Sequence, residues 1–168
     1  MRLGLALLIL VTLQRIGELA WARRNTRHLK ARGGIEVGAK HYWLIVSVHA
    51  AWLLGLWILA WDRPVMLGWA GAYIALQVAR GWVLASLGDR WTTRIIVLPK
   101  TPLVHSGPYR FMGHPNYLVV AAEIAILPLV YGLPGYAVVF SLLNAAVLRI
   151  RIRAETRALE QFSALQST

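Results

Sequence analysis

The 168 residues include no cysteine, which excludes disulfides, thiolate nucleophiles and zinc–thiolate sites. Acidic residues are scarce, 7 against 18 lysines and arginines, for a formal net charge of +11. The glycine-rich nucleotide fingerprints are missing as well, both the dinucleotide-binding form and the phosphate-binding loop, and so is a His-Glu-x-x-His zinc motif. The 5 histidines are scattered. His41 and His49 lie eight apart and share a helix face at best, too little for a metal site; no metal centre is expected. A basic chain invites a nucleic-acid reading, but no motif of that class is visible. The basic residues instead sit at the ends of apolar runs, where they meet anionic headgroups. Membrane lipid, not nucleic acid, is the expected surrounding.

What the chain has is apolar length. It is 58% hydrophobic, with a mean hydropathy of +0.54, above the roughly 45–50% apolar content of soluble domains. Runs at residues 3–22, 42–61 and 65–87 each approach the roughly 20 residues needed to cross a hydrocarbon core. A fourth apolar region, 117–148, is longer than one span and is broken at Tyr131-Gly132-Leu133-Pro134-Gly135. Glycine and proline punctuate helices, so this region reads as two helices joined by a tight turn. Pro115 suits a first helical position, and Pro128 bends the far end. The expectation is an all-α integral membrane protein of about five transmembrane helices, the last two a hairpin. It forms one domain over 1–168: three spans and a basic loop in 1–87, then a loop, the hairpin and a terminal helix in 88–168. Met1-Arg2, the apolar run after it and Ala20-Trp21-Ala22 mimic a secretory leader. Gln14, Arg15 and Glu18 interrupt it, so the segment reads as a retained first span.

Charge fixes the expected orientation. Six basic residues lie between spans one and two (Arg23, Arg24, Arg27, Lys30, Arg32, Lys40). Four lie between spans three and four (Arg90, Arg94, Lys100, Arg110), and four follow span five (Arg149, Arg151, Arg153, Arg157). The opposite side has only Arg2 and Arg63. The positive-inside rule then places the N-terminus outside and the C-terminus in the cytoplasm of an inner-membrane-type protein. Trp43, Trp61 and Trp91 fall near span ends, where indoles favour the headgroup zone. Trp52, Trp57, Trp69 and Trp82 read as lipid-facing or packing residues.

Residues 88–123 hold the most chemistry. The stretch 91–98 is rich in Thr, Ile and Val and reads as extended. Ser106-Gly107-Pro108-Tyr109 is a turn. His114-Pro115-Asn116-Tyr117 opens the fourth helix, whose free N–H groups suit a carboxylate. Glu123 lies seven residues on, on the face of Asn116. An intramembrane carboxylate faces either a polar cavity or a structural partner, here Arg80 or Arg15. On the last helix Asn144, Leu148, Arg151 and Glu155 share a face, and Arg151 with Glu155 also reads as a surface i,i+4 ion pair. Gln14, Arg15 and Glu18 read as a structural group flooring a cavity.

These residues resemble the isoprenylcysteine carboxyl methyltransferase family in its small bacterial branch. The resemblance is carried by Ser106-Gly107-Pro108-Tyr109-Arg110, His114-Pro115-Asn116-Tyr117, Glu123 and Arg149-Ile150-Arg151-Ile152-Arg153-Ala154-Glu155. Upstream, Glu18, Arg23-Arg24-Asn25, Gly33-Gly34-Ile35-Glu36-Val37-Gly38 and His41-Tyr42 also look like this branch. It implies an S-adenosylmethionine-dependent methyltransferase with a cytoplasmic cofactor pocket in the C-terminal half. By similarity, His114, Pro115, Asn116 and Tyr117 line the pocket, Arg151 or Arg153 and Glu155 close it, and Arg110 and Glu123 are candidate catalytic residues. A lipophilic substrate enters sideways from the bilayer. The family usually has arginine just before His-Pro. Gly113 stands there; if the usual arginine steers the transferring methyl or a substrate anion, Arg110 must substitute or activity is reduced. Residues 91–104 look more like the branch that methylates long-chain alkylpyrones or alkylresorcinols than like enzymes for prenylcysteine. Two other classes stay open: an NADPH-dependent membrane reductase of related fold and a non-catalytic lipid-binding protein.

Overall fold

The computed structural model describes residues 2–99 and 101–164, with side chains over 3–99 and 101–160. Met1, Lys100 of the basic count and the last four residues of the domain lie outside the described residues. Helices begin and end where the breakers fall. No proline occurs between Arg2 and Ala31, and α1 runs unbroken over Arg2–Ala31 until Gly33-Gly34 stops it. At 1.5 Å per residue its 30 residues span about 45 Å, well beyond a bilayer core of roughly 30 Å. The basic stretch after residue 22, read from sequence as loop, is therefore helix: arginine, lysine, leucine and alanine all propagate one. Then follow α2 (Tyr42–Ala60), α3 (Leu67–Leu87), α4 (Pro115–Val130) and α5 (Pro134–Ala164).

The chain is an all-α, multi-pass membrane protein. Among the described residues three stretches are long and apolar enough to cross a bilayer: Leu3–Ala31, Ala39–Ala60 and Pro134–Glu160. The other two helices depart from that standard for different reasons. The 21-residue α3 carries Gln77 and Arg80 in its second half, and α4 has only 16 residues. Both are set against neighbours, with α4 packed between α3 and α5.

Leu8 and Val11 of α1, Trp52 and Leu56 of α2, Tyr73 of α3, and Ile124, Leu127 and Tyr131 form one buried cluster. In lipid such a cluster gains from close packing more than from the hydrophobic effect, because hydrocarbon is as apolar as leucine. The Tyr131 hydroxyl donates to the Gly4 carbonyl at 2.9 Å. Pro128 lies inside α4 and has no N–H to give the carbonyl one turn back. That carbonyl belongs to Ile124, and the Trp52 indole donates to it at 3.2 Å. The helix ends two residues after Pro128, and Gly132, at φ 65°, makes the turn into α5 that a side chain would strain.

At the end of the bundle bearing most basic residues, Ile35–Val37 (β1) pairs antiparallel with Ile95–Val97 (β2), Glu36 opposite Ile96. The extended reading of 91–98 thus narrows to three residues, and its partner strand was not legible from so short a run. Trp91, expected at the membrane surface, is buried at 3% exposure and lies against Trp21 at 5.3 Å. Trp43 and Trp61 are exposed, as are Trp69 and Trp82, whereas Trp52 is core.

Glu36 clasps the two strands to α1, accepting from Lys30 and from Arg94. Partial burial opposes its ionisation, but the hydrogen bonds and charges of Lys30 and Arg94 outweigh it and hold the carboxyl below its usual value of 4.5. A lowered carboxylate pKa stabilises the fold above the unfolded value and stops doing so as pH falls through the folded one. Glu36→Gln is therefore expected to lower the thermal midpoint slightly at pH 7, and the gap to the parent should close below about pH 4. Lys30 and Arg94 are 48% and 37% exposed, so each contact is worth at most about 1 kcal/mol. A gap that stays constant from pH 7 to pH 3 would show that charge is not the cause.

Candidate active site

Two cavities meet at the basic end of the bundle. The first, about 440 Å³, is enclosed by β2 and the loop after it, the short turn Gly107–Arg110, the start of α4 and the last third of α5. The turn is possible because Gly107 takes φ 58°, and because a β-carbon there would collide with the Ser86 hydroxyl on α3. The chain can therefore press close to α3 before α4 begins.

Three side chains from two helices converge inside this cavity. The Tyr117 hydroxyl donates to Glu155 Oε2 at 2.7 Å and accepts from Arg151 Nε at 3.0 Å. Arg151 Nη2 also donates to the Thr93 carbonyl at 2.6 Å. His114 stacks on Tyr117 with ring centroids 5.4 Å apart, its Nδ1 3.7 Å from Glu155. Arg151 and Glu155 thus do not form the surface pair read from their spacing: the phenol of Tyr117 sits between them and holds both at the cavity wall. Tyr109 lines the same space, and burial, with the nearby Glu155 charge, pushes its hydroxyl well above the ordinary tyrosine range. The Asn116 Oδ1 and the Trp91 Nε1 are buried without hydrogen-bond partners among the described residues. The Trp91 backbone is fixed from α1, since Asn25 donates to its carbonyl at 2.9 Å.

The second cavity, about 340 Å³, lies deeper, between α1, α2 and α4, and is mostly apolar. Its rim includes Ile16, Leu19 and Val46, which also face outward from the bundle at 40–58% exposure. Its floor is charged. Arg80 donates to Glu18 at 2.6 and 2.5 Å and to Glu123 at 2.8 Å. Arg15 pairs with Glu18 at 2.9 Å and Glu123 at 3.0 Å. Gln77 donates to Glu123 at 2.8 Å, and Gln14 donates to Gln77 and Glu18. Two cations and two anions cancel, which is the condition for keeping them in an apolar medium. Trp91, Thr92, Asn116, Tyr117 and Arg151 wall both cavities.

The sequence-derived candidates divide accordingly. His114, Asn116, Tyr117, Arg151 and Glu155 come together on the first cavity. Pro115 is buried beneath it as the first residue of α4. Arg153 is exposed on another face of α5, because a two-residue step turns a helix by about 200°. Arg110 places its guanidinium over the Phe111 ring at 4.3 Å, and it lines neither cavity. Gly113 lines the first cavity, with open space where a β-carbon would project. Glu123 is at the wall of the second, both oxygens engaged. Thr93, Trp91 and His49 were not legible as site residues: Thr93 acts through its carbonyl, and the other two depend on long-range packing. No group of three or more metal-ligating side chains exists among the described residues.

A family model described as isoprenylcysteine carboxyl methyltransferase (ICMT) family matches residues 69–161. A Bacillus subtilis protein, designated uncharacterized protein YpbQ, is 40% identical over 162 residues, 94% of this chain and 96% of its own length. A Haemophilus influenzae protein, also designated uncharacterized, is 25% identical over 152 residues, 86% of this chain and 88% of its own. No solved structure matches the chain significantly.

Proposed function

The chain belongs to the isoprenylcysteine carboxyl methyltransferase family, a family of membrane methyltransferases, and on that premise we propose that it methylates a lipophilic acceptor from S-adenosylmethionine. One observation carries this reading: a mixed polar cavity and an apolar cavity share the wall formed by Asn116, Tyr117 and Arg151. A two-substrate transfer between a water-soluble donor and a lipid needs such a junction.

The residues present fit the donor. Its amino-acid end carries one charge of each sign, and Arg151 and Glu155 offer the complementary pair on either side of Tyr117. The unpartnered Asn116 Oδ1 awaits an N–H donor of the kind that an ammonium or an adenine amino group provides. When bound, the donor supplies a sulfonium-activated methyl group. The protein then has mainly to orient the reactants and exclude water. We assign His114, Asn116, Tyr117, Arg151 and Glu155 to donor binding, and Pro115 to fixing the start of α4. Arg153 has no role in this assignment. Glu123 maintains the charged floor of the acceptor cavity. The outward-facing rim of that cavity gives a lipid acceptor a sideways route, and we favour a long-chain alkylpyrone- or alkylresorcinol-like hydroxyl over prenylcysteine. By the charge distribution, the N-terminus is outside and the donor cavity opens to the cytoplasm of a bacterial inner membrane.

Calorimetry on the purified protein in detergent, with S-adenosylmethionine and with NADPH, tests the reading. Binding of the first and not the second is expected; the reverse would favour a reductase. Labelled methyl must then pass to a lipid acceptor, since donor binding without turnover would favour a non-catalytic protein. Gly113→Arg fills open space at the donor cavity with the guanidinium usual in the family. On acceptors already ionised at the assay pH, a guanidinium that steers the anion should raise the transfer rate by about tenfold or more, a modest part of the roughly 10²–10³ that one preorganised contact contributes. Arg110→Ala should change the rate little, because Arg110 lies outside both cavities. Abolished activity in that variant would return the steering role to Arg110.

A further inference from the structure

The acceptor cavity has one ionisable side chain that no other side chain engages. Its charged members are committed: Arg15 and Arg80 each pair with both Glu18 and Glu123. Arg151 is held by the Tyr117 hydroxyl and the Thr93 carbonyl. The Tyr42 hydroxyl meets the Thr93 hydroxyl at 3.0 Å. His49 remains. It lies on α2, two turns beyond Tyr42 on the same face, and lines the apolar cavity with Ile45 and Val46.

Its tautomer follows from one contact. His49 Nδ1 lies 2.8 Å from the Ile45 carbonyl oxygen. Only a protonated Nδ1 bonds to a carbonyl, so in the neutral ring the lone pair is on Nε2. Nε2 has no hydrogen-bond partner among the described residues. On an apolar, partly enclosed cavity that free acceptor nitrogen is open to the hydroxyl of a ligand.

We propose that Nε2 of His49 is the proton acceptor for the methyl-accepting hydroxyl. The inference rests on the methyltransferase reading and names a catalytic residue for the same site. A carboxylate brings no proton at neutral pH and needs a spare cation, and the cations on this cavity are already paired or held. In the step, the acceptor O–H proton passes to Nε2 as the oxygen forms its bond to the methyl carbon. The carbon–sulfur bond breaks with its electron pair on sulfur, so the sulfonium becomes a neutral thioether. The imidazolium releases the proton to water when the ether leaves.

Two variants and two readouts test this in the full-length protein in detergent. Rates are measured on alkylphenols of graded acidity, from weakly acidic to fully ionised at the assay pH. His49→Gln and His49→Phe should slow the weakly acidic acceptors by about a hundredfold or more, as loss of a general base does. Both should leave the ionised ones within a few-fold of the parent. Equal loss on all acceptors would make His49 merely structural and overturn the proposal, and so would preferential methylation of a carboxylate lipid that His49→Phe leaves unchanged.

The second readout needs no turnover. Trp52 and Trp91 line the cavity, so their fluorescence reports binding of an alkylphenol or of its methyl ether to donor-free protein. The parent should prefer the phenol, His49→Phe should lose that preference, and His49→Gln should keep part of it. Identical preference in the parent and in His49→Phe overturns the proposed contact whether or not methyl transfer occurs. A parent that discriminates through His49 but transfers no methyl group sinks the methyltransferase reading instead.

Discussion

Glu123→Leu is expected to destabilise the protein by about 3–5 kcal/mol, the usual effect of breaking a buried ion pair from one side. Both carboxylate oxygens of Glu123 are engaged, by Arg80 at 2.8 Å, Arg15 at 3.0 Å and Gln77 at 2.8 Å. Its removal leaves two guanidinium groups facing the single carboxylate of Glu18 in an apolar surrounding. Thermal unfolding in detergent measures the loss. The double variant Arg80→Leu/Glu123→Leu removes one charge of each sign and keeps the Arg15–Glu18 pair, so it should recover a substantial part of that stability. A double variant less stable than Glu123→Leu would mean that packing, and not charge balance, dominates at this site.

Glu155→Gln should weaken S-adenosylmethionine binding by about 1.5–3 kcal/mol, the range for a hydrogen bond to a charged group, or roughly ten- to a hundredfold in Kd. The unfolding temperature should barely move, because Glu155 is at the cavity wall and its main internal partner is the Tyr117 hydroxyl, to which a glutamine oxygen can also bond. Calorimetry separates this from the alternative: unchanged affinity would confine Glu155 to holding Tyr117 in place. Tyr117→Phe is a useful companion, since it removes the hydroxyl shared by Arg151 and Glu155 without removing either charge.

The helical architecture was legible because its signals are local. Apolar runs, the break at Gly132-Leu133-Pro134 and the proline opening α4 each act within a few residues, and the hairpin of α4 and α5 followed from them. The length of α1 was not, because charged residues end only the apolar part of a helix and not the helix itself. The residues that line the first cavity from α4 and α5 were legible as two stripes of fixed spacing. What spacing does not give is what lies between stripes: Tyr117 standing between Arg151 and Glu155 turned an apparent surface pair into a cavity wall. Arg110 shows the converse. Nearness in sequence to Gly113 suggested a substitute, but the intervening turn points its side chain onto Phe111. Trp91 and His49 needed the packing of α1 and α2 against the C-terminal half, which no local pattern records.

The hydrogen bond from Trp52 to the carbonyl released by Pro128 constrains the order in which this protein can change. If Pro128 is replaced first by an ordinary residue, an N–H returns to the helix and can reclaim the Ile124 carbonyl, after which the indole of Trp52 is free to become phenylalanine. The opposite order passes through an intermediate with an unpaired buried carbonyl, at a cost of about 1–3 kcal/mol. Trp52→Phe is thus harmful beside Pro128 and tolerated once Pro128 has been replaced. Of the two routes from the Trp–Pro pair to a Phe–Ala pair in descendants of this chain, the one that changes position 128 first is open and the one that changes position 52 first is obstructed.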